Sequence, residues 1–242
     1  MAAKACCIFL IAGLTACSDP PVKWGPIVFT GVPREPADAI VNAPSAKACP
    51  ASARQASLGA TRFIAWWEAR DDSSVILMAS RDSNVVIADS TDHGVSGCGR
   101  PAPAIAADSA TGYIHLAYFA EPVSGPGIFF AHSMDSAKTF HSPVPIVFGR
   151  NPARVSVASS GDKVVVAYED PNSRQSSVGV ALSNTMGHIF ERRVLASSEN
   201  GIAKQPVIRL HGDFIQLWWS EYSPNPAVSA TRPRYREGKW NH

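Results

Sequence analysis

The fold can be inferred from the stretch Lys163-Val164-Val165-Val166-Ala167-Tyr168-Glu169-Asp170, because the chain repeats it in looser form about every 50 residues. Each copy places a basic residue before a proline, then a short strand, a turn, and a second strand that ends in an aromatic residue followed by an acid. In this unit the opening phrase is Arg150-Asn151-Pro152. The other copies run from Lys47 to Glu68, from Arg100 to Glu121 and from Lys204 to Glu221, and the aligned aromatic residues are Trp66, Tyr118, Tyr168 and Trp218.

Repeats of this length, built from short strands, predict an all-β fold of the β-propeller type. One small sheet cannot bury both of its faces until neighbouring sheets stack around an axis. Apolar and polar residues alternate at a period of two, as in Val155-Ser156-Val157, and no useful helical period is present. We expect four blades, with a strand at residues 26–30 completing the last one. Five blades are the alternative, if residues 23–47 and the C-terminus build a further sheet.

The N-terminal residues have the pattern of a processing signal. Lys4 precedes an apolar segment too short to span a bilayer, and Leu14-Thr15-Ala16-Cys17 resembles a bacterial lipobox. The resemblance implies a signal peptide over residues 1–16, lipidation of Cys17, a tether over 17–24 and a propeller over 25–242. It also implies attachment to membrane lipid on the periplasmic side of the bacterial cell envelope. The alternative is an ordinary secretory peptide in which Cys17 is incidental.

Composition and cysteine use narrow the function classes. The chain has 242 residues, 45% of them hydrophobic, and a formal net charge of +2, which is not typical of a nucleic-acid-binding protein. Cys49 and Cys98 both stand ahead of a blade's first strand, so we predict a disulfide between them in an oxidising compartment. The cysteines and the seven histidines show no metal-ligand spacing. Neither a metal nor a cofactor is expected, and structural roles are assigned to the histidines.

A turn motif gives the chain a family resemblance. Residues 133–140 read Ser-Met-Asp-Ser-Ala-Lys-Thr-Phe, and looser copies begin at Ser80, Ser183 and Ser229. The motif resembles the Asp-box of the sialidase, or bacterial neuraminidase repeat, superfamily. The resemblance implies a propeller in which these turns stabilise hairpins and perform no catalysis. The structural residues of the best copy are Ser133, Asp135, Thr139 and Phe140.

Charged residues recur at the ends of the repeated strands, where a propeller would gather them around one mouth of its channel. The basic ones are Lys47, Arg100, Arg150 and Lys204, and the acidic ones are Glu68, Glu121, Asp170 and Glu221. They predict a charged vestibule for a carboxylate, a sugar or a partner's polar loop. The alternative is a set of solvated strand ends, paired with one another at about 0–1 kcal/mol each.

Catalysis by a sialidase-like chain would need three arginines on the substrate carboxylate, a tyrosine nucleophile with a glutamate, and an aspartate. Arg150-Asn151-Pro152 only partly matches the expected arginine motif, Arg34 matches less well, and Tyr235-Arg236-Glu237 imitates the tyrosine and glutamate. No catalytic residue is therefore assigned. The leading hypothesis is a non-catalytic, lipid-anchored accessory or protein-binding subunit of a membrane-associated envelope assembly. Its alternative is a reduced sialidase-like glycoside hydrolase or a glycan-binding lipoprotein.

Overall fold

The protein is seen here in a computed structural model that describes residues 20–29, 39–198, 201–223 and 231–241. Within these residues the regular secondary structure consists of strands and one 3-10 turn at Gly97–Gly99. No helix in this part of the chain is long and apolar enough to cross a membrane. The predicted signal peptide, Cys17, Arg34 and the first residues of the Asp-box copy at Ser229 lie outside the described residues.

The strands form four antiparallel sheets, the first three built from strands that are consecutive in the chain and the fourth from strands of both ends. The first sheet contains β3 (Ala39–Ile40), β4 (Arg54–Leu58), β5 (Thr61–Ala69), β6 (Val75–Arg81) and β7 (Asn84–Asp89). The second contains β8 (Ala104–Ala107), β9 (Ile114–Ala120), β10 (Gly127–Ser133) and β11 (Val144–Phe148). The third contains β12 (Val155–Ser160), β13 (Lys163–Glu169), β14 (Val178–Ser183) and β15 (Arg192–Leu195). The fourth contains β16 (Ile202–His211), β17 (Phe214–Tyr222), β18 (Thr231–Trp240), β1 (Val22–Trp24) and the short β2 (Val28–Phe29).

This architecture confirms the predicted all-β fold and its four sheets. The inner strands β4, β8, β12 and β16 meet around one axis, since each contributes residues to one cavity of about 260 Å³ near their C-terminal ends. Three buried apolar clusters fill the spaces between consecutive sheets, one between the first and second, one between the second and third, and one between the third and fourth. The middle strands β9 and β13 of the second and third sheets are buried on both faces because a propeller blade has a neighbour on each side.

The aligned aromatic residues all lie on the strand that follows the inner strand of their sheet, but the fourth is displaced by one position. Tyr118 and Tyr168 each pack into the cluster shared with the preceding sheet. In the fourth sheet Trp219 packs against the third sheet, while Trp218 contacts the Tyr235 ring instead. A register shift in β16, between Lys204 and Val207, accompanies the displacement. Because strand side chains alternate between faces, Trp219 and not Trp218 is the structural match.

The N-terminal segment completes the last sheet, as predicted from the unclaimed strand near residue 26. Val22 pairs with Trp240 in β18, and β2 pairs further along the same strand, Val28 with Tyr235. The tether predicted over residues 17–24 therefore overlaps β1. In this sheet the strand after β17 is β18, which spans Thr231–Trp240. No fifth sheet occurs among the described residues.

A disulfide between Cys49 and Cys98 joins the first two sheets. Cys49 precedes β4, and Cys98 lies in the 3-10 turn ahead of β8. Their Cα atoms are 5.1 Å apart, within the usual range for this bond. The bond fixes the approaches to two neighbouring inner strands, close to the axial pocket.

Candidate functional site

The beginnings of the four inner strands enclose a pocket of about 460 Å³ on the axis, which we call the axial pocket. A volume of this size suits a small organic ligand. Three arginines and a glutamine are the long polar side chains of its lining. Its walls are formed by Pro50, Ala51, Arg54, Gly99, Arg100, Pro101, Ala102, Pro103, Arg154, Val155, Ser156, Gln205, Pro206 and Val207.

Two of the arginines carry the positive character of the axial pocket. Arg54 is half-buried, and its Nη1 donates to the carbonyl oxygens of Ala51 and Ala53 at 3.0 and 2.9 Å. Arg154 is exposed, and no hydrogen bond or ion pair of its guanidinium is found among the described residues. A free guanidinium presents a planar fork of donors that matches a carboxylate. Arg154 is therefore the group in this pocket most available to an anion.

Glu169 positions the backbone of two lining residues. Its Oε2 accepts the Arg154 N–H at 3.2 Å, and its Oε1 accepts the Gln205 N–H at 2.8 Å. This single carboxylate, nearly buried at the end of β13, thus joins the third and fourth sheets at the rim. Gln205 adopts a positive φ of 57°, an uncommon conformation that the bond from Glu169 helps to hold. Its side-chain Oε1 accepts a bond from Ser220 Oγ at 3.1 Å.

Of the eight charged residues that the sequence predicts around the channel mouth, Arg100 alone lines the axial pocket. Its side chain is inaccessible to solvent, and its guanidinium forms ion pairs with Asp92 and with Glu121, the latter at 2.7 Å. Glu121 also accepts the backbone N–H groups of Val95 and Ser96. Arg100 and Glu121 therefore fix the loop between the first two sheets. They are not solvated vestibule charges, because their charges compensate one another inside the protein.

The other predicted charges lie around the pocket without lining it. Lys47, Arg150 and Lys204 are exposed, and Glu68 is half-buried beside Trp66, whose Nε1 donates to it at 3.4 Å. Asp170 borders a separate small pocket on the outer part of the third sheet. Glu221 forms an ion pair with Arg234 at 2.6 Å. The structure brings Arg54, Arg154 and Gln205 to the axis instead, which sequence analysis missed. The sequence feature that could have identified the two arginines is a second basic residue in the repeat, shortly after Pro50 in one unit and after Pro152 in another.

The Asp-box turn has the geometry that its sequence predicts. It joins β10 to β11, and Asp135 Oδ1 accepts the N–H groups of Lys138 and Thr139 at 3.0 and 2.9 Å. Ser133 Oγ accepts the Ala137 N–H at 2.7 Å, and Thr139 Oγ1 donates to Asp135 Oδ2. Burial raises the pKa of Asp135, but the bonds from Thr139, Ser133 and Lys138 outweigh it and lower the pKa to about 2. The turn is structural.

The looser Asp-box copies differ in how far they keep this geometry. In the copy at Ser183, Thr185 replaces the aspartate and its Oγ1 accepts the Ile189 N–H at 3.1 Å. The copy at Ser80 is a tight turn in which Arg81 pairs with Asn84, so it lacks the motif's loop. The fourth copy, which begins at Ser229, lies partly outside the described residues, and its aromatic position, Tyr235, falls inside β18.

Three histidines assigned structural roles from the sequence lie together at these turns. The His132 ring is 4.5 Å from that of His141 and 4.6 Å from that of His188, centroid to centroid. Burial and the two neighbouring imidazoles lower the pKa of His132 to about 4. The sequence feature from which this grouping could have been predicted is the position of each histidine relative to the Asp-boxes. His132 directly precedes one box, His141 directly follows it, and His188 lies inside the next.

Tyr235 and Glu237, which imitate part of a sialidase site, are bonded to each other on β18. The Tyr235 hydroxyl donates to Glu237, and Gln216 Nε2 bonds to both side chains, at 3.2 and 3.1 Å. Burial and the Glu237 carboxylate raise the pKa of Tyr235 to about 12. Neither residue lines the axial pocket, and Arg236 instead donates to the carbonyl oxygens of Gly25 and Ala196. The three arginines and this pair therefore do not form one site.

Comparison with known proteins gives a fold but no family. No protein-family model matches the chain, and no curated protein matches it. Among solved structures, the α-L-arabinofuranosidase Arb93A of Fusarium graminearum matches with a TM-score of 0.51 and 12% identity, over 85% of this chain and 67% of that one. The intramolecular trans-sialidase of Ruminococcus gnavus matches with a TM-score of 0.49 and 12% identity, over 74% of this chain. This chain spans 40% of that trans-sialidase.

These comparisons correct the leading hypothesis drawn from the sequence. An exo-1,5-α-L-arabinanase from a bovine ruminal metagenomic library also matches, with a TM-score of 0.45 and 11% identity, over 78% of this chain and 77% of that one. The α-L-arabinofuranosidase that matches with a TM-score of 0.51 is a glycoside hydrolase, and this match corrects the hypothesis of a non-catalytic accessory subunit in favour of its carbohydrate-directed alternative. At these identities the likeness is one of fold, and it agrees with the all-β propeller architecture.

Proposed function

We propose that this protein is a glycoside-hydrolase-like propeller that takes an acidic sugar, of the sialic acid type, at the axial pocket. The observation that carries the proposal is the exposed Arg154 guanidinium beside Arg54 and Gln205 in a pocket to which all four sheets contribute. No carboxylate is among the described residues that line this pocket. An anionic ligand would therefore meet donors and cations without repulsion from its immediate walls.

The architecture supports the same choice. Glu169 fixes the backbone at Arg154 and Gln205, so these two lining residues are held in place before any ligand arrives. A preorganised site loses less entropy on binding than a mobile one. Arg100 adds little to the attraction because Asp92 and Glu121 neutralise it. Arg154 is thus the residue whose removal should matter most.

The test is calorimetric titration with α2,3-sialyllactose and with lactose, two ligands that differ by the acidic sugar. We expect binding of sialyllactose only, weakened about 10- to 100-fold by Arg154→Ala, as the loss of hydrogen bonds to a charged group predicts. Arg150→Ala is the matched control, since Arg150 is exposed and lies outside the pocket. Equal affinity for lactose, or equal losses in both variants, would remove the proposal.

Hydrolysis is a second candidate, favoured by the bonded Tyr235 and Glu237 pair on β18. A tyrosine needs an adjacent base to act as a nucleophile, and Glu237 lies in that position. The assay is release of a fluorogenic group from sialosides and arabinofuranosides. Under this candidate Tyr235→Phe abolishes turnover while leaving axial binding of sialyllactose intact. Turnover that survives Tyr235→Phe would exclude this pair as the catalytic group.

We also propose, from the sequence pattern around Cys17, that the protein is anchored by lipid at the periplasmic side of the cell envelope. Thioether-linked and acyl chains together on one N-terminal cysteine are more than stable anchoring needs. Expressed in a bacterial host, the wild type should enter the detergent phase on phase separation, and Cys17→Ser should move it to the aqueous phase. Aqueous partition of the wild type would contradict the anchor.

A further inference from the structure

A compact group of three imidazoles lies between the second and third sheets, at the end of the propeller opposite the axial pocket. A ring nitrogen of His132, one of His141 and one of His188 all lie within 4.8 Å of one another. His132 is buried, whereas His141 and His188 are exposed. The group therefore has one buried wall and two side chains that face solvent. We call these residues the histidine triad.

The two Asp-box turns build this arrangement. His132 lies near the end of β10, and the loop over residues 133–140 returns so closely that the His141 N–H donates to the His132 carbonyl oxygen at 2.9 Å. In the next sheet, Ser183 Oγ accepts the Gly187 N–H at 3.0 Å, which fixes the backbone just before His188. Gly187 has a φ of 88°, and a Cβ there would lie 2.1 Å from the Phe130 ring. Glycine at this position thus lets the third-sheet turn approach the second sheet.

Two observations indicate that the triad's nitrogens are available to a ligand. The Nδ1 of His188 lies 2.6 Å from the Thr185 carbonyl oxygen, which can only accept, so Nδ1 carries the proton and Nε2 keeps its lone pair. This bond to a backbone carbonyl is the support that metal-ligating histidines commonly have. His132 is buried, with only 2% of its surface exposed, and its Nε2 has no hydrogen-bond partner among the described residues. Such an unsatisfied nitrogen is costly unless something binds it.

We propose that the histidine triad binds one divalent transition-metal ion, Zn²⁺ by preference. Three neutral imidazoles form a ligand set that suits zinc, and the hard ions Mg²⁺ and Ca²⁺ prefer oxygen ligands. The exposed His141 and His188 give the ion a way in and leave a coordination position open to water. The bound ion would also join the second and third sheets, because His132 and His141 come from one and His188 from the other.

The experiment uses the untagged full chain, treated with a chelator, dialysed and titrated calorimetrically with zinc chloride. We expect one equivalent of Zn²⁺ to bind with micromolar or tighter affinity, and the His141→Ala/His188→Ala variant to bind at least 100-fold more weakly. Both substituted residues are exposed, so circular dichroism should show an unchanged fold. His93→Ala is the matched control, because His93 is an exposed histidine outside the triad.

A second measurement follows the sheets themselves. Added Zn²⁺ should raise the unfolding temperature of the wild type and of His93→Ala, because a ligand that binds only the native state stabilises it. It should leave the unfolding temperature of the double variant unchanged. Failure of the wild type to bind Zn²⁺, or equal zinc affinity in the double variant, would overturn the proposal. Neither outcome would depend on whether the axial pocket binds a sugar.

Discussion

At the scale of the residue, one buried hydroxyl offers a clean test of the packing between the first two sheets. The Tyr118 hydroxyl, fully buried, donates to Asp89 Oδ2 at 2.8 Å. Tyr118→Phe keeps the ring but leaves this carboxylate oxygen without a donor, so we expect a loss of about 1–3 kcal/mol in the free energy of unfolding. Urea denaturation measures it. Tyr113→Phe is the control, and a loss of the same size there would mean that the bond is not the cause.

Asp135 predicts a pH dependence of stability. Its pKa in the folded protein is about 2, below the roughly 3.9 of an unfolded chain, so its contribution is present above pH 4 and is lost as the pH falls towards 2. Asp135→Asn should therefore cost about 1 kcal/mol at pH 7, a value kept small because the residue is partly exposed to solvent, and should cost progressively less below pH 4. Denaturant curves at several pH values give the difference.

The control for this titration is Asp162→Asn, an exposed aspartate whose side chain has no hydrogen bond among the described residues. Its cost should be near zero at every pH. A cost of Asp135→Asn that does not shrink in acid would show that the carboxylate charge contributes nothing to the turn.

The sequence predicts hydrogen bonds between neighbouring residues well, but it predicts the lining of the axial pocket poorly. Asp135 and its partners are within four residues of one another, so the pattern contains the whole interaction. Arg54 and Arg154 line one pocket only because their two sheets are arranged around the same axis, which no local sequence pattern records. Arg100 was predicted among solvated charges because Asp92, its buried partner, precedes it by eight residues in a loop without regular structure. Burial depends on the path of that loop, which composition does not specify.

At the scale of the element, the loop between the first two sheets depends on Arg100. Arg100→Met removes the cation and leaves Asp92 and Glu121 buried or half-buried close together, so we expect a loss of about 3–5 kcal/mol. Thermal and urea unfolding both report it. Arg150→Met, an exposed change one repeat later, should stay within about 0.5 kcal/mol of the wild type. Equal, small effects would restore the view of Arg100 as a solvated strand-end charge.

The elements also show where repeat logic is reliable. A period of about 50 residues correctly gave the second strand of each sheet, because the aromatic residues at these positions pack between sheets. It placed Trp218 one position early, since the register shift in β16 is a backbone irregularity with no marker in the aligned residues. Because side chains alternate between the two faces of a strand, this error of one position assigned the residues of β17 to the wrong face of the sheet.

At the scale of the molecule, the fourth sheet depends on β1. Val22 is 3% exposed and packs into the cluster between the third and fourth sheets. Val22→Asp would bury a charge there, and we expect a loss of about 3 kcal/mol or more in the free energy of unfolding. Val28→Asp is the matched control, because β2 pairs with the same strand but Val28 is 40% exposed. Equal effects of the two substitutions would show that β1 does not contribute to the core.

The pairing of β1 with β18 sets an order of assembly. During synthesis β1 is made before any other strand of the described chain, yet its only partner is the last strand to follow. The first three sheets consist of strands that are consecutive in the chain, so each can form soon after it is made. The fourth must wait, and contacts between distant parts of a chain form slowly. We therefore expect closure of the ring to be the final step of folding, and until then β1 and the free edge of β18 are both open to pairing with other chains.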